Sequence, residues 1–404
     1  MLEGIRGGSL DRPEDPSIQA LSPFGIRAMH CHHFAAGRCR SCTHLPTPYA
    51  DQLAWKQQHA RELLAAWPDA KWLSPVSSRE RGFRNKAKMV VSGSWEAPVL
   101  GTLGMAGRGE DLRDCPLYPE ALACAFEPLI RFIRLARIAP YELASRSGEL
   151  KYLLLTLSVQ SGELMIRFVL RSQEAVGRMR KHLATLQDEL PQLRVLSVNL
   201  QPEHKAVLEG EREILLSGSR TLQMRLNGLP LHLRPQSFYQ TNDEVAAALY
   251  AQARDWCDEL QPGAIWDLFC GVGGFALHCA APGRRVTGIE ISTEAIQSAC
   301  QSRDELALAD VEFRALDAAD FAAGQTEVPP LVILNPPRRG IGPGLCAFLE
   351  ASAARWLIYS SCNAPSLARD LERMPSFRPL QVRLLDMFPH SHHYELITLL
   401  ERDG

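Results

Sequence analysis

The sequence contains no apolar run long enough to cross a bilayer. Its opening stretch, MLEGIRGGSLDRPEDPSIQA, has no apolar core and does not read as a secretory signal. Internal repeats are absent, and no low-complexity tract follows the N-terminal tail. Net charge is scarce too: 44 basic and 46 acidic side chains leave −2. The molecule as a whole is not a polycation, so any nucleic-acid contact must come from a local patch. What remains is an ordinary globular composition, 46% hydrophobic and 22% charged. Its 404 residues are enough for two or three domains. Eleven cysteines without an export signal suggest reduced thiols or metal ligands rather than disulfides. The expected molecule is a cytoplasmic monomer with no membrane partner.

The chain divides unevenly. Residues 1–28 are rich in Gly, Pro and charge and are expected to be a disordered extension. Residues 29–75 carry a cysteine segment and a helix whose apolar positions recur at helical spacing over 49–67. Residues 76–235 hold short β-prone runs such as KAKMVVSG, LKYLLLTLSV and ELMIRFVLR, interrupted by one helical stretch at 173–190. This reads as a central α+β domain with antiparallel strands. From 236 to 404 strand and helix patterns alternate, the signature of a mainly parallel, doubly wound, Rossmann-like sheet. Its last two strands, LQVRLLDMF and YELITLLE, have no helix between them, so one antiparallel strand is expected at the end.

In such sheets ligands bind at the carboxyl ends of the strands, and several polar residues fall there. DLFCGVGGF is a strand followed by a glycine turn. Gly271 and Gly273 let backbone approach a ligand, and Glu290, ending the next strand, can accept hydrogen bonds from ribose hydroxyls. This turn alone does not separate a nicotinamide dinucleotide from S-adenosylmethionine. LVILNPPRRG then sets Asn335 before two prolines, which stiffen the loop and remove donors. A rigid polar loop beside a nucleoside pocket suits a methyltransferase.

Cys362 ends a further strand on the same edge, whereas Cys257, Cys279, Cys300, Cys346 and Cys124 read as small core residues. A thiolate at that edge can act as nucleophile, and Glu395 on the last strand can reach the same pocket. The C5 carbon of uracil is too weak a nucleophile to take a methyl group directly. Addition of a thiolate to C6 makes C5 enolate-like, and a base must then remove the C5 proton. Cys362 and Glu395 fit those roles. His390, His392 and His393 read as a polar loop rather than a metal site.

The remaining cysteines form a second pattern. Cys31, Cys39-x-x-Cys42 and the distant Cys115, which precedes a proline, could hold zinc or a [4Fe-4S] cluster. Spacing alone does not choose between them. Arg79, Arg81, Arg84, Lys86 and Lys88, with Phe83 among them, suggest a patch that holds phosphates and stacks a base. A solvated basic edge strand is the rival reading. Arg338 and Arg339 are better placed to meet RNA at the pocket mouth.

DLFCGVGGF, GIE, LNPPRRG, YSSCN and HYE, in that order, resemble the RNA uracil-5-methyltransferase family from about Met29 to the end. The resemblance implies a class I S-adenosylmethionine-dependent methyltransferase domain with Cys362 as nucleophile and Glu395 as the base. It implies that Gln240, Phe269, Glu290 and Asn335 contact S-adenosylmethionine, and that Cys31, Cys39, Cys42 and Cys115 hold a [4Fe-4S] cluster of structural role. Many members have Asp where Asn335 stands; the Asn keeps the hydrogen-bonding shape but loses the charge. The implied substrate is a uridine of 23S ribosomal RNA, uracil 747. Other readings are another ribosomal or transfer RNA uridine, an exocyclic-amine methyltransferase, or a metal-bearing RNA-binding module with a vestigial catalytic domain. The stretch before Cys31 is too short for the β-barrel that some members carry, so RNA recognition is expected to rest on the central domain. Met29 is an expected alternative translation start. N-terminal sequencing of the native protein should then begin at or just after Met29, and finding residues 1–28 intact would contradict it.

Overall fold

The computed structural model describes residues 28–403 apart from 105, 106, 108 and 206. Residues 1–27 of the expected disordered tail lie outside the described residues. Two large sheets organise the rest. The first has seven strands in the order Gly109–Asp111, Pro98–Leu103, Lys86–Gly93, Leu150–Leu157, Leu164–Leu170, Leu193–Leu200 and Arg212–Leu215. Alternation along Lys86–Gly93 sends Ala87, Met89 and Val91 to one face. The helix Phe126–Leu135 covers that face with Phe126, Leu129, Ile130 and Ile133, spaced for a single apolar stripe.

The central sheet is not wholly antiparallel. Leu164–Leu170 and Leu193–Leu200 run parallel. The residues between them cross over as helices, and parallel neighbours need such a crossover. The single helix expected over 173–190 is two, Val176–Lys181 and Leu183–Glu189, because the backbone leaves the helical region at His182.

The second sheet has eight strands in the order Lys71–Trp72, Phe377–Leu385, Glu395–Arg402, Trp356–Ser361, Leu331–Leu334, Ala264–Leu268, Arg285–Glu290 and Val311–Ala315. The antiparallel strand expected at the end is Glu395–Arg402, but it is inserted between Trp356–Ser361 and Phe377–Leu385 rather than placed at the rim. A short strand from the N-terminal segment, Lys71–Trp72, closes the edge instead. The hairpin formed by Leu222–Leu226 and Leu229–Leu233 packs on the helix Thr293–Glu305, with the His232 backbone N–H donating to Ser302.

The N-terminal helix Tyr49–Leu63 is held to this sheet by polar groups. Lys56 is fully buried and donates to Asp386 Oδ1 at 2.7 Å and to the Phe388 carbonyl at 3.0 Å. Gln52 receives the His390 backbone N–H, and His59 pairs with the Tyr394 hydroxyl at 2.7 Å. The helix thus grips the connection that runs into Glu395. Lys56→Met leaves the Asp386 carboxylate buried without its cation, and should cost about 3–5 kcal/mol in urea unfolding. Pairing it with Asp386→Leu should recover most of that loss; equal stability of the single variant and wild type would show the pair to be idle.

Candidate active site

Four neighbouring parallel strands, Arg285–Glu290, Ala264–Leu268, Leu331–Leu334 and Trp356–Ser361, end on one edge of the large sheet. The polar residues singled out above follow from that placement. At the glycine turn Gly273 has φ +85°, and a Cβ there would come within 2.8 Å of the Phe313 ring. Both facts require glycine. Phe269, just before the turn, also has positive φ, at +68°. Glu290 bridges the first two strand ends: one oxygen accepts from the Gly271 N–H at 3.2 Å, the other from the Ser292 N–H at 3.0 Å.

The Asn335–Gly340 loop is pinned on both flanks. Asn335 N–H donates to the Leu268 carbonyl, and Asn363 Nδ2 donates to the Arg338 carbonyl at 2.7 Å. At Gly340, with φ +85°, a Cβ would meet Asp370 at 2.2 Å. Gln240 comes from the linker before the helix Asp243–Leu260 and is buried. Asn85 of the central sheet fixes its backbone, donating through Nδ2 to the Gln240 carbonyl at 3.0 Å. The Gln240 side chain has no hydrogen-bond partner among the described residues.

Cys362 is half-buried and immediately follows its strand. Trp356–Ser361 pairs with Glu395–Arg402 so that Ser361 faces Leu396. One step further along that register Cys362 comes opposite Glu395. Burial, then the Glu395 charge, raises the thiol above its ordinary value, while the Arg338 guanidinium opposes both as a cation and a hydrogen-bond partner. Glu395 is 2% exposed and accepts a 2.7 Å hydrogen bond from Ser360 Oγ. Burial pushes its carboxyl up to about 7, against the Ser360 hydrogen bond, which lowers it. A base poised near neutrality is what general-base work requires.

Three residues here were not singled out from the sequence. Ser360 lies in an otherwise apolar strand, the one signal it gave. Asp267 is a similar case, an acid inside AIWDLFC. It is wholly buried, accepts from the Ala276 N–H at 2.9 Å, and burial pushes it up to about 8. Phe238, two residues before Gln240, is 69% exposed.

The four cysteines of the N-terminal pattern do converge. Cys31, Cys39, Cys42 and Cys115 line one small cavity with Met29, Phe34, Leu112 and Leu117. Burial, reinforced by the other three thiols, pushes Cys42 up to about 12; Cys115, also chiefly by burial, reaches about 11. Arg84 counters both electrostatically. Zinc at about 2.3 Å from each sulfur would draw four sulfurs within about 4 Å of one another. Among the described residues, the one group of three or more metal-ligating side chains with all ligand atoms inside 4.8 Å is His32, His33 and Asp114, not the thiols. Four thiols on one cavity can take either zinc or a [4Fe-4S] cluster. His32 and His33 both reach Asp114, at 3.0 and 2.6 Å, which ties the Cys31 and Cys115 segments together.

The basic patch forms only in part: Arg79, Arg81 and Lys88 are exposed. Phe83 is buried and offers no face to a base. Arg79 pairs with Glu244, Arg81 donates to the His30 carbonyl, and Arg84 turns towards the thiols. Cys124 is exposed rather than core, since it closes a four-residue helix at the surface, and Cys300 is only half-buried. His390 is fully buried and bonded to Gln52 and Glu80, while His392 and His393 lie at the surface beside Arg338.

The model of the tRNA (uracil-5-)-methyltransferase family matches residues 150–403. The 23S rRNA (uracil(747)-C(5))-methyltransferase RlmC of Pectobacterium carotovorum is 54% identical over 375 residues, covering 93% of this chain and 100% of the relative. The RlmC of Escherichia coli O139:H28 is 54% identical over 372 residues, 92% and 99% of the two chains. Among solved structures, the Pyrococcus abyssi tRNA (uracil-54, C5)-methyltransferase in complex with S-adenosyl-L-homocysteine superposes with TM-score 0.73. It covers 89% of this chain and 85% of that one, at 24% identity, a likeness of fold.

Glu395 also has a stability consequence. Its folded pKa of about 7 lies above the ordinary 4.5, so the folded state binds the extra proton. Its contribution therefore turns unfavourable as pH rises from the ordinary value through about 7. Glu395→Gln should gain on the order of 2–3 kcal/mol over wild type between pH 5 and pH 8. Denaturant titrations at both pH values check this, and a gain independent of pH would show that the carboxylate is not desolvated.

Proposed function

The chain belongs to the tRNA (uracil-5-)-methyltransferase family, and on that premise we propose that it methylates C5 of uracil 747 in 23S ribosomal RNA. The observation that carries the reading is the facing pair of Cys362 and Glu395 at the carboxyl edge. S-adenosylmethionine is the co-substrate that supplies an electrophilic methyl group.

The target base leaves its stack to reach the thiol. Cys362 gives its proton to solvent beside the Arg338 guanidinium, which favours the thiolate, and the thiolate adds to C6 of the uracil. The C5=C6 electron pair moves to C5 as an enolate, with charge on O4. C5 takes the methyl group, and S-adenosylhomocysteine leaves. The Glu395 carboxylate removes the C5 proton, the C5=C6 bond re-forms, and the Cys362 thiolate departs. The carbon–sulfur bond made to the enzyme is broken again, and Glu395 passes its proton to solvent before the next turnover. Enclosure of Glu395 raises its basicity, and the Ser360 hydroxyl holds it in place.

Gln240, Phe269, Glu290 and Asn335, with the Gly271–Gly273 turn, are proposed to hold S-adenosylmethionine. Glu290 is suited to the ribose hydroxyls. Its hydrogen bond to the Gly271 N–H couples the two loops that would flank the nucleoside. Cys31, Cys39, Cys42 and Cys115 would hold a [4Fe-4S] cluster, as anionic thiolates whose charge the iron neutralises. Its role is structural, joining the N-terminal segment to the central domain.

Mass-spectrometric mapping of ribosomal RNA from cells with and without the gene should show loss of 5-methyluridine at position 747 alone. Complementation with Cys362→Ala should not restore it. Glu395→Gln should slow turnover by roughly 10²–10⁴-fold and accumulate enzyme bonded to methylated RNA. The wild-type rate should fall as pH drops through about 7, where Glu395 takes up a proton. Unchanged methylation in the absence of the gene, or full activity of Cys362→Ser, would overturn the reading.

A further inference from the structure

A row of aromatic and cationic side chains runs along the surface from the N-terminal helix to the reactive thiol. It begins at Trp55, which is 43% exposed although indoles are usually covered. The imidazole of His59 backs it in a stacked arrangement, with centroids 5.2 Å apart and planes at 6°. His44 lies against the same indole at 4.7 Å. His392 is near enough to His44 to act on it electrostatically. His392 in turn packs on His393, with ring centroids 3.9 Å apart. The Arg338 guanidinium reaches His393 at 3.5 Å and lies near enough to Cys362 to favour its thiolate.

None of these groups except Arg338 has a part in the chemistry above. A lone exposed aromatic would need no explanation. This one is braced from behind and stands at the end of a continuous row. His59 is itself anchored, by the Tyr394 hydroxyl at 2.7 Å, to the residue beside Glu395. Flat π faces and guanidinium planes are what unstacked RNA bases rest on. A uridine turned out of its stack leaves neighbours that have lost a stacking partner on that side. The Arg338 guanidinium at the end of the row suits a phosphate backbone, and the imidazoles contribute flat rings rather than charge.

We propose that Trp55, braced by His59, is a stacking platform for an unpaired base of the substrate RNA next to the target uridine. The row through His44, His392 and His393 guides the strand to Arg338 and Cys362. The platform makes the N-terminal segment, rather than the central domain alone, part of RNA selection. The inference rests on the RNA methyltransferase reading, and the experiment separates the two.

A synthetic 23S rRNA stem-loop containing uracil 747 is titrated against full-length wild type, Trp55→Ala, Trp55→Leu and Trp55→Phe. Loss of one base–aromatic stack should weaken RNA binding by about tenfold in the alanine and leucine variants, within a range of roughly 5- to 150-fold. The phenylalanine variant should stay within about threefold of wild type. S-adenosylmethionine affinity, melting temperature and methyl transfer at saturating RNA should be unchanged in all three. Wild-type RNA affinity in the alanine and leucine variants would overturn the platform. So would a loss shared by methyl-donor affinity and melting temperature, since that marks a purely structural indole. If the wild type itself methylates no uridine of the stem-loop, the functional reading fails instead.

Discussion

The enclosure of one carboxylate beside one thiol is the constraint around which this molecule is arranged. Left in water, Glu395 would be a weak base and Cys362 an ordinary thiol. Removing Glu395 from solvent raises its basicity, at a cost in stability when it ionises. That cost is tolerable because the pair lies on an edge that neighbouring elements hold rigid. The antiparallel register of the last strand sets the two residues opposite each other, Ser360 fixes the carboxylate, and Arg338 faces the thiol. Insertion of that strand inside the sheet is what brings Glu395 beside the strand that ends in Cys362; at the rim it would not face it.

The rest of the chain serves as support for this edge. The N-terminal helix holds the loop leading into Glu395 through Lys56, Gln52 and His59. The cysteine segments touch both walls. His44, two residues after Cys42, donates its N–H to the His390 carbonyl, and Leu117, two after Cys115, accepts from Arg84. Asn85, next in sequence, then fixes Gln240. The cysteine quartet thus lies between the loop that leads to the base and the linker that carries Gln240. A cluster there would stiffen both.

Much of this was legible in the residues. The alternation of strand and helix after residue 236 gave the doubly wound sheet, because parallel strands buried on both faces leave an unmistakable apolar pattern. Gly273, Asn335, Cys362 and Glu395 stood out because each interrupts such a pattern at the end of a strand. The grouping of Cys31, Cys39 and Cys42 with Cys115 was legible from the motif, and the four line one cavity. What the residues hid were the contacts made across domains. Phe83 looks in one dimension like a stacking face, yet it is buried, and Arg79 and Arg81 each hold a neighbouring segment while staying exposed. Lys56 looks like a surface cation on a helix and is buried, since its partner Asp386 is 330 positions away. The parallel pair in the central sheet was hidden for the same reason, since pattern alone does not fix strand direction.

The account stands or falls on a transient carbon–sulfur bond at residue 362. The most direct measurement incubates the enzyme with 5-fluorouridine-containing RNA and S-adenosylmethionine, then digests it and identifies the modified peptide by mass spectrometry. With fluorine in place of the C5 proton, Glu395 has nothing to remove and the thiolate cannot leave. The predicted result is a stable peptide carrying methylated fluorouridine on Cys362. Transfer of the methyl group without any covalent species, or an adduct at another cysteine, would contradict it.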